Sequence, residues 1–251
     1  MSAKLQAGAF FDIDGTLLPW PSLEWRFIAY LASRDILGPA AAARSVGIAI
    51  DNASSGLPLA TGNRMYLSGL STSLVDDWLA DLSRPLPILV DGLRRLEWHA
   101  SQGHRIVLIS GTLAPLARAF ALRIGSAEEI CATELDTVSG ADATSVGFGD
   151  DFWTGRLASE WPNGKTKAHI VRRIADGHHL DLARSFAYGD SASDAAMLAS
   201  VRYPRAVNPS LALRRIAADH RWIIEYWKLR AASSAANFAD RSTIARAGEQ
   251  R

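Results

Sequence analysis

Cysteine is almost absent. The 251 residues hold one, Cys131, so no internal disulfide can form, and the six histidines show none of the paired Cys/His spacing of a zinc site. That usage fits a reducing, cytoplasmic setting. An excess of one charge is missing too: 27 Lys and Arg stand against 26 Asp and Glu, a net +1. No run of about five or more like charges suits a polyphosphate backbone or an anionic membrane, so nucleic acid is not expected as a partner. No apolar stretch is long enough to span a bilayer, and the opening MSAKLQAGAFFDIDG does not read as a signal peptide. A soluble chain without stable membrane insertion is expected. Internal repeats are lacking, and the only biased segments are PAAAARSVGIAI and the small, polar tail 231–251, which is expected to fray.

What is present alternates. The length suits one large domain, or a core carrying a smaller insertion. Four short apolar runs read as buried strands: GAFF before Asp12, RIVLI before Ser110, SFAY before Gly189 and PRAV before Asn208. Between them, TLAPLARAFALRIG reads as a helix with Pro115 in its first turn and Gly125 as its stop, and KTKAHIVRRIADG as another. Strands alternating with helices predict a parallel α/β sheet. From Pro21 to Leu89 the rhythm breaks. Leu23, Phe27, Tyr30 and Leu31 share a helix face and STSLVDDWLADL repeats the pattern, predicting a helical insertion after the first strand. Turn residues around Gly140 and Gly149 predict a hairpin-like excursion before Lys165.

The reactive side chains fall at the carboxyl ends of the strands, where open α/β sheets hold their ligands. Asp12 and Asp14 follow the first, Ser110 and Thr112 the second, Asp190 and Asp194 the third. In DID the two acids lie two residues apart and face one ligand, while Ile13 points into the core. Crowded carboxylates require protons or a cation. Oxygen donors without His or Cys favour Mg²⁺, which completes its shell with water and substrate phosphate. A lysine in NGKTK, the hydroxyls of Ser110 and Thr112, and backbone N–H groups at Gly15 and Gly111 suit a phosphoryl group.

In that order, DIDGTL, LISGT, NGK and YGDSASD resemble the four motifs of the haloacid dehalogenase superfamily, over roughly Ala9 to Pro209. The resemblance is to its phosphoserine-phosphatase-like branch, with a helical cap inserted after strand one. It implies a Rossmann-like three-layer core over 1–20 and 90–230, a helical cap over 21–89, and a tail over 231–251. Asp12 would be the nucleophile that forms an aspartyl-phosphate, and Asp14 the acid and then the base. Ser110, Gly111 and Thr112 would hold the phosphoryl oxygens and Lys165 would neutralise the charge. Mg²⁺ would sit on Asp12, the Asp14 carbonyl and Asp190, with Asp194 fixing its water shell. The implied activity is a phosphatase acting on a small phosphorylated metabolite.

Other readings stay open at this point. A phosphotransferase to a small alcohol, a regulatory phosphoacceptor domain and a silent binding protein would use similar residues. Lys167 reaches the same region as Lys165, but Lys165 directly follows NG and is preferred. Asp194 also completes a capping box in SASD, and Thr112 is equally suited to cap the next helix. Arg64, Glu24 and Arg26 are the charged residues of the cap segment, and Arg64 suits a substrate carboxylate or phosphate. The phosphoserine enzymes place a glutamate soon after the nucleophile. Here PWPS intervenes and Glu24 arrives later, which counts against L-phosphoserine.

Overall fold

A computed structural model describes residues 5–38, 62–82, 86–140 and 150–229. The alanine-rich patch and the tail lie outside them. In chain order the elements are β1 (Gly8–Phe11), α1 (Leu23–Ser33), α2 (Leu74–Asp81), α3 (Val90–Ser101), β2 (Arg105–Leu113), α4 (Ala114–Ile124), β3 (Glu129–Thr133), β4 (Leu135–Ser139), β5 (Asp151–Leu157), α5 (Lys165–Gly177), β6 (Phe186–Gly189), α6 (Ala195–Leu198), β7 (Tyr203–Val207), α7 (Leu211–Asp219) and β8 (Ile223–Glu225).

Six strands form one parallel sheet in the order β3-β2-β1-β6-β7-β8. The chain moves outward from β1 through β2 to β3, returns to β6 beside β1, and moves outward the other way. The switch point therefore lies between β1 and β6, and a ligand crevice opens beyond their carboxyl ends. Side-chain alternation divides the core into two layers. Ala9 and Phe11 pack with Leu108 and Tyr188 beneath residues of α1, α2, α3 and α4. Phe10, Val107, Ile109 and Ala187 pack on the other face against Ile170, Val171 and Ile174 of α5, with α6 and α7 beside them. Each fully buried side chain of this kind contributes about 1.5–3 kcal/mol. The three-layer α/β expectation holds.

The expected helices form where the sequence places them. Pro115 stands in the first turn of α4, and Gly125 ends it at φ 67°, a left-handed conformation that favours glycine. β3 escaped the sequence reading: it is half polar and lies at the sheet edge. β8, three residues long, forms within HRWIIEYW, a run that reads as a strand or packing edge. The expected hairpin is β4 with β5, antiparallel, its turn outside the described residues. It packs on the segment between α1 and α2: Arg64 donates its N–H to Gly155 O at 2.7 Å, and Gly69 to Trp153 O at 2.8 Å. The segment after β1 and the hairpin after β3 thus stand together at one end of the sheet.

Candidate active site

The end of β1 is built to present two acids. Asp12 continues the sheet, its N–H donating to Tyr188 O at 3.0 Å, and Ile13 is fully buried. The chain then turns sharply. Leu17 and Leu18 both donate to Ile13 O at 2.9 Å, and Gly15 donates to Leu18 O at 2.7 Å. Gly15 has φ 89°, and a Cβ there would collide with the Asp190 carboxylate. Only glycine lets the Asp190 side chain lie against this turn. Asp14 Oδ1 accepts the Leu23 N–H at 2.8 Å, so the acid is tied to the start of α1.

A lysine lies at the centre, and it is Lys167. Its Nζ stands 2.6 Å from Asp12 Oδ1 and 2.6 Å from Asp194 Oδ1, with 3% of the side chain exposed. Lys165, preferred from its place after NG, is exposed at the first position of α5. Helix phase explains the correction. Lys167 shares its face with Ile170, Val171 and Ile174, which pack on the sheet, whereas Lys165 lies nearly opposite.

Asp194 completes the anticipated capping box and also holds the lysine. Its Oδ2 accepts N–H groups from Asp190 at 3.1 Å and Ser191 at 2.9 Å, while Oδ1 accepts from Lys167. One carboxylate oxygen from each of Asp12, Asp190 and Asp194 lies within 4.8 Å of the others. With Asp14, four carboxylates face one ammonium, and the imbalance appears in the proton affinities. Burial, then Asp12 and Asp194, push Asp190 up to about 9. Burial against the opposing pull of Lys167 leaves Asp12 at about 7, and burial raises Asp14 to about 6. Burial lowers the affinity of Lys167, but Asp12 and Asp194 more than reverse this and hold it charged. The donor set fits a hard divalent cation. Since Asp194 is already engaged through both oxygens, Asp12 and Asp190 are the carboxylates left to hold it.

Across the crevice β2 runs through Ser110 to Leu113. Ser110 is buried, and its Oγ accepts the Thr112 N–H at 3.2 Å. Thr112 is not the cap of α4: that place falls to Leu113, with no side-chain bond. The Thr112 hydroxyl is one of four buried side-chain polar atoms without a partner among the described residues. Two of the others, Thr16 Oγ1 and Trp161 Nε1, belong to the same neighbourhood.

Arg64, half-buried, meets Glu24 through Nε and Nη2, the Gly62 carbonyl through Nη1 at 2.6 Å, and the Gly111 carbonyl through Nη2 at 3.2 Å. The Tyr66 hydroxyl donates to the same Glu24 oxygen as Arg64 Nε. The longer connection before Glu24 does not carry it away, because the neighbouring Leu23 is bonded to Asp14. Arg26 instead bonds backbone carbonyls of Pro19 and Pro21. Asp12, Asp14, Ser110, Gly111, Arg64, Asp190 and Asp194 are therefore brought together. Sequence reasoning missed Tyr66 and Thr133, whose hydroxyl donates to Gly111 O at 2.6 Å. Thr133 ends a strand beside Ser110, a signal that became visible only once β3 was recognised.

Residues 9–199 match the family model described as haloacid dehalogenase-like hydrolase. A Mycobacterium tuberculosis protein named phosphoserine phosphatase SerB1 is 32% identical over 243 residues, covering 90% of this chain and 72% of that protein. A solved structure of a Bordetella pertussis protein of unknown function has a TM-score of 0.73 at 24% identity, covering 88% of this chain and 99% of that one. A phospho-aspartyl intermediate analogue of phosphoserine phosphatase has a TM-score of 0.61 at 17% identity, covering 89% and 94%, a likeness of fold. No helix among the described residues is long and apolar enough to cross a membrane.

Proposed function

Because the chain belongs to the haloacid dehalogenase-like hydrolases and is a phosphatase similar to phosphoserine phosphatase, we propose that it hydrolyses a small phosphomonoester through Asp12. The observation that carries this reading is Asp12 itself, buried at the switch point with Oδ1 held by Lys167 and Oδ2 left to attack phosphorus. The bond to the ester oxygen breaks as the Asp12–phosphorus bond forms, and Asp14 gives its proton to the departing alkoxide. An acid raised to about 6 carries that proton in a useful fraction of molecules near neutrality. Asp14 then takes a proton from the water that attacks the aspartyl-phosphate, releasing phosphate and restoring Asp12. Ser110 and the Gly111 N–H hold the phosphoryl oxygens, and Lys167 favours the ionised nucleophile against the opposing effect of burial.

Asp12, Asp190 and the Asp14 carbonyl would hold Mg²⁺, with Asp194 fixing its waters. Bound there, the ion would offset the surplus negative charge and polarise a phosphoryl oxygen. The leaving group would meet Glu24, Arg64 and Tyr66, which stand beside Asp14 and Gly111. That restores L-phosphoserine as a substrate to test. Residues 21–89 act in this reading as the cap, and the chain works in the cytoplasm. The test is phosphate release from a panel of small phosphomonoesters, L-phosphoserine included, with and without Mg²⁺, for wild type and Asp12→Asn. Metal-dependent turnover lost in the variant is expected, and equal turnover by both proteins refutes the assignment.

A further inference from the structure

The peptide between Gly111 and Thr112 is held from both sides. Its carbonyl accepts the Thr133 hydroxyl at 2.6 Å and Arg64 Nη2 at 3.2 Å. A trans peptide points its N–H opposite to its C=O, so turning the carbonyl toward β3 sends the Thr112 N–H the other way. That N–H reaches Ser110 Oγ at 3.2 Å. A hydroxyl oxygen that accepts one bond retains its proton for donation elsewhere. Thr133 is fully buried, on a strand that none of the four motifs includes, and touches neither Asp12 nor Lys167 through a hydrogen bond. Its hydroxyl is committed to this one carbonyl.

We infer that Thr133 is a positioning residue: with Arg64 it fixes the Gly111–Thr112 peptide, and so aims the Ser110 hydroxyl proton at the phosphoryl group. The inference rests on the phosphatase reading of the crevice. Thr133 acts through Ser110, and its effect appears wherever phosphoryl oxygens are bound, in the substrate and in its analogues. A Thr133→Val variant keeps the side chain's shape and loses only the donor. Loss of one such bond lowers kcat/KM and weakens inhibition by orthovanadate, each by roughly tenfold. Thr133→Ser restores the donor and stays within about twofold of wild type.

A double-mutant cycle separates positioning from general stability. In a Ser110→Ala background nothing remains to be aimed, so Thr133→Val costs less than about twofold more in vanadate inhibition or kcat/KM. A Thr133→Val protein with wild-type constants overturns the inference. So does a tenfold loss that persists without the Ser110 hydroxyl, or an equal loss in Thr133→Ser. Should Thr133→Val fail to fold by circular dichroism, Thr133→Ala is measured against the same limits. A wild type that neither releases phosphate nor binds vanadate removes the phosphatase reading and this inference together. Turnover and vanadate binding with additive losses remove only the inference.

Discussion

Replacing Lys167 by methionine removes its ammonium from a buried group of acids while nearly preserving volume. Lys167 is 3% exposed and meets Asp12 and Asp194 at 2.6 Å each, so its loss leaves two buried carboxylates facing each other, with Asp190 beside them. Breaking a buried pair by removing one partner costs about 3–5 kcal/mol. For a chain of this size that is a fall in Tm of roughly 6–20 °C. The penalty depends on pH. Without the lysine the carboxylates bind protons more tightly in the folded state, so protonation relieves the repulsion at low pH and the loss is larger at pH 8 than at pH 5.5. Lys165→Met, on the exposed side of α5, changes stability by about 0.5 kcal/mol or less. Denaturant unfolding of both variants in chelating buffer, with phosphate release measured alongside, makes the comparison. A Lys167→Met protein with wild-type stability and turnover, beside an inactive Lys165→Met, would refute the reasoning.

Three further outcomes are expected. Asp14→Asn loses about 10²–10⁴-fold in kcat on an alkyl phosphate but much less on a nitrophenyl ester, whose leaving group needs no proton; equal losses on the two would rule out the acid role. Gly15→Ala, with φ 89° and no room beside Asp190, weakens Mg²⁺ binding measured by calorimetry and lowers Tm, and wild-type values for both would contradict the close packing. His99 is fully buried, bonded to the Tyr188 hydroxyl at 2.9 Å and His104 Nδ1 at 2.7 Å, with Arg95 nearby. Burial, then His104 and Arg95, lower it from 6.5 to about 3, so below pH 6.5 the unfolded chain takes up a proton that the folded chain refuses. The contribution of His99 to stability then falls by about 1.4 kcal/mol for each pH unit between 6.5 and about 3, so urea unfolding shows His99→Gln gaining stability relative to wild type as the pH falls through that window. A pH dependence unchanged in the variant would contradict this.

Much of this was legible because the chemistry lies where strands end. GAFF, RIVLI and SFAY are buried on both faces, so they announce themselves, and the acids and hydroxyls just beyond them converge by topology alone. The lysine was misplaced because distance from NG was weighed above helix phase. Lys167, Ile170, Val171 and Ile174 already spell the buried face of α5 in the sequence. β3 and Thr133 were hidden by the polar ends of an edge strand, EICAT, whose apolar run is only three residues long. The bond from Arg64 to Glu24 joins residues 40 positions apart in the sequence, and no local pattern encodes it.

The most direct test of the central claim is to quench wild type during turnover of a phosphomonoester, reduce the acyl phosphate with borohydride, and locate the modified residue by mass spectrometry. The modification is expected on Asp12 alone and absent from Asp12→Asn. Steady turnover by wild type with Asp12 unmodified, or with the label on another residue, would contradict a phosphatase that works through this carboxylate.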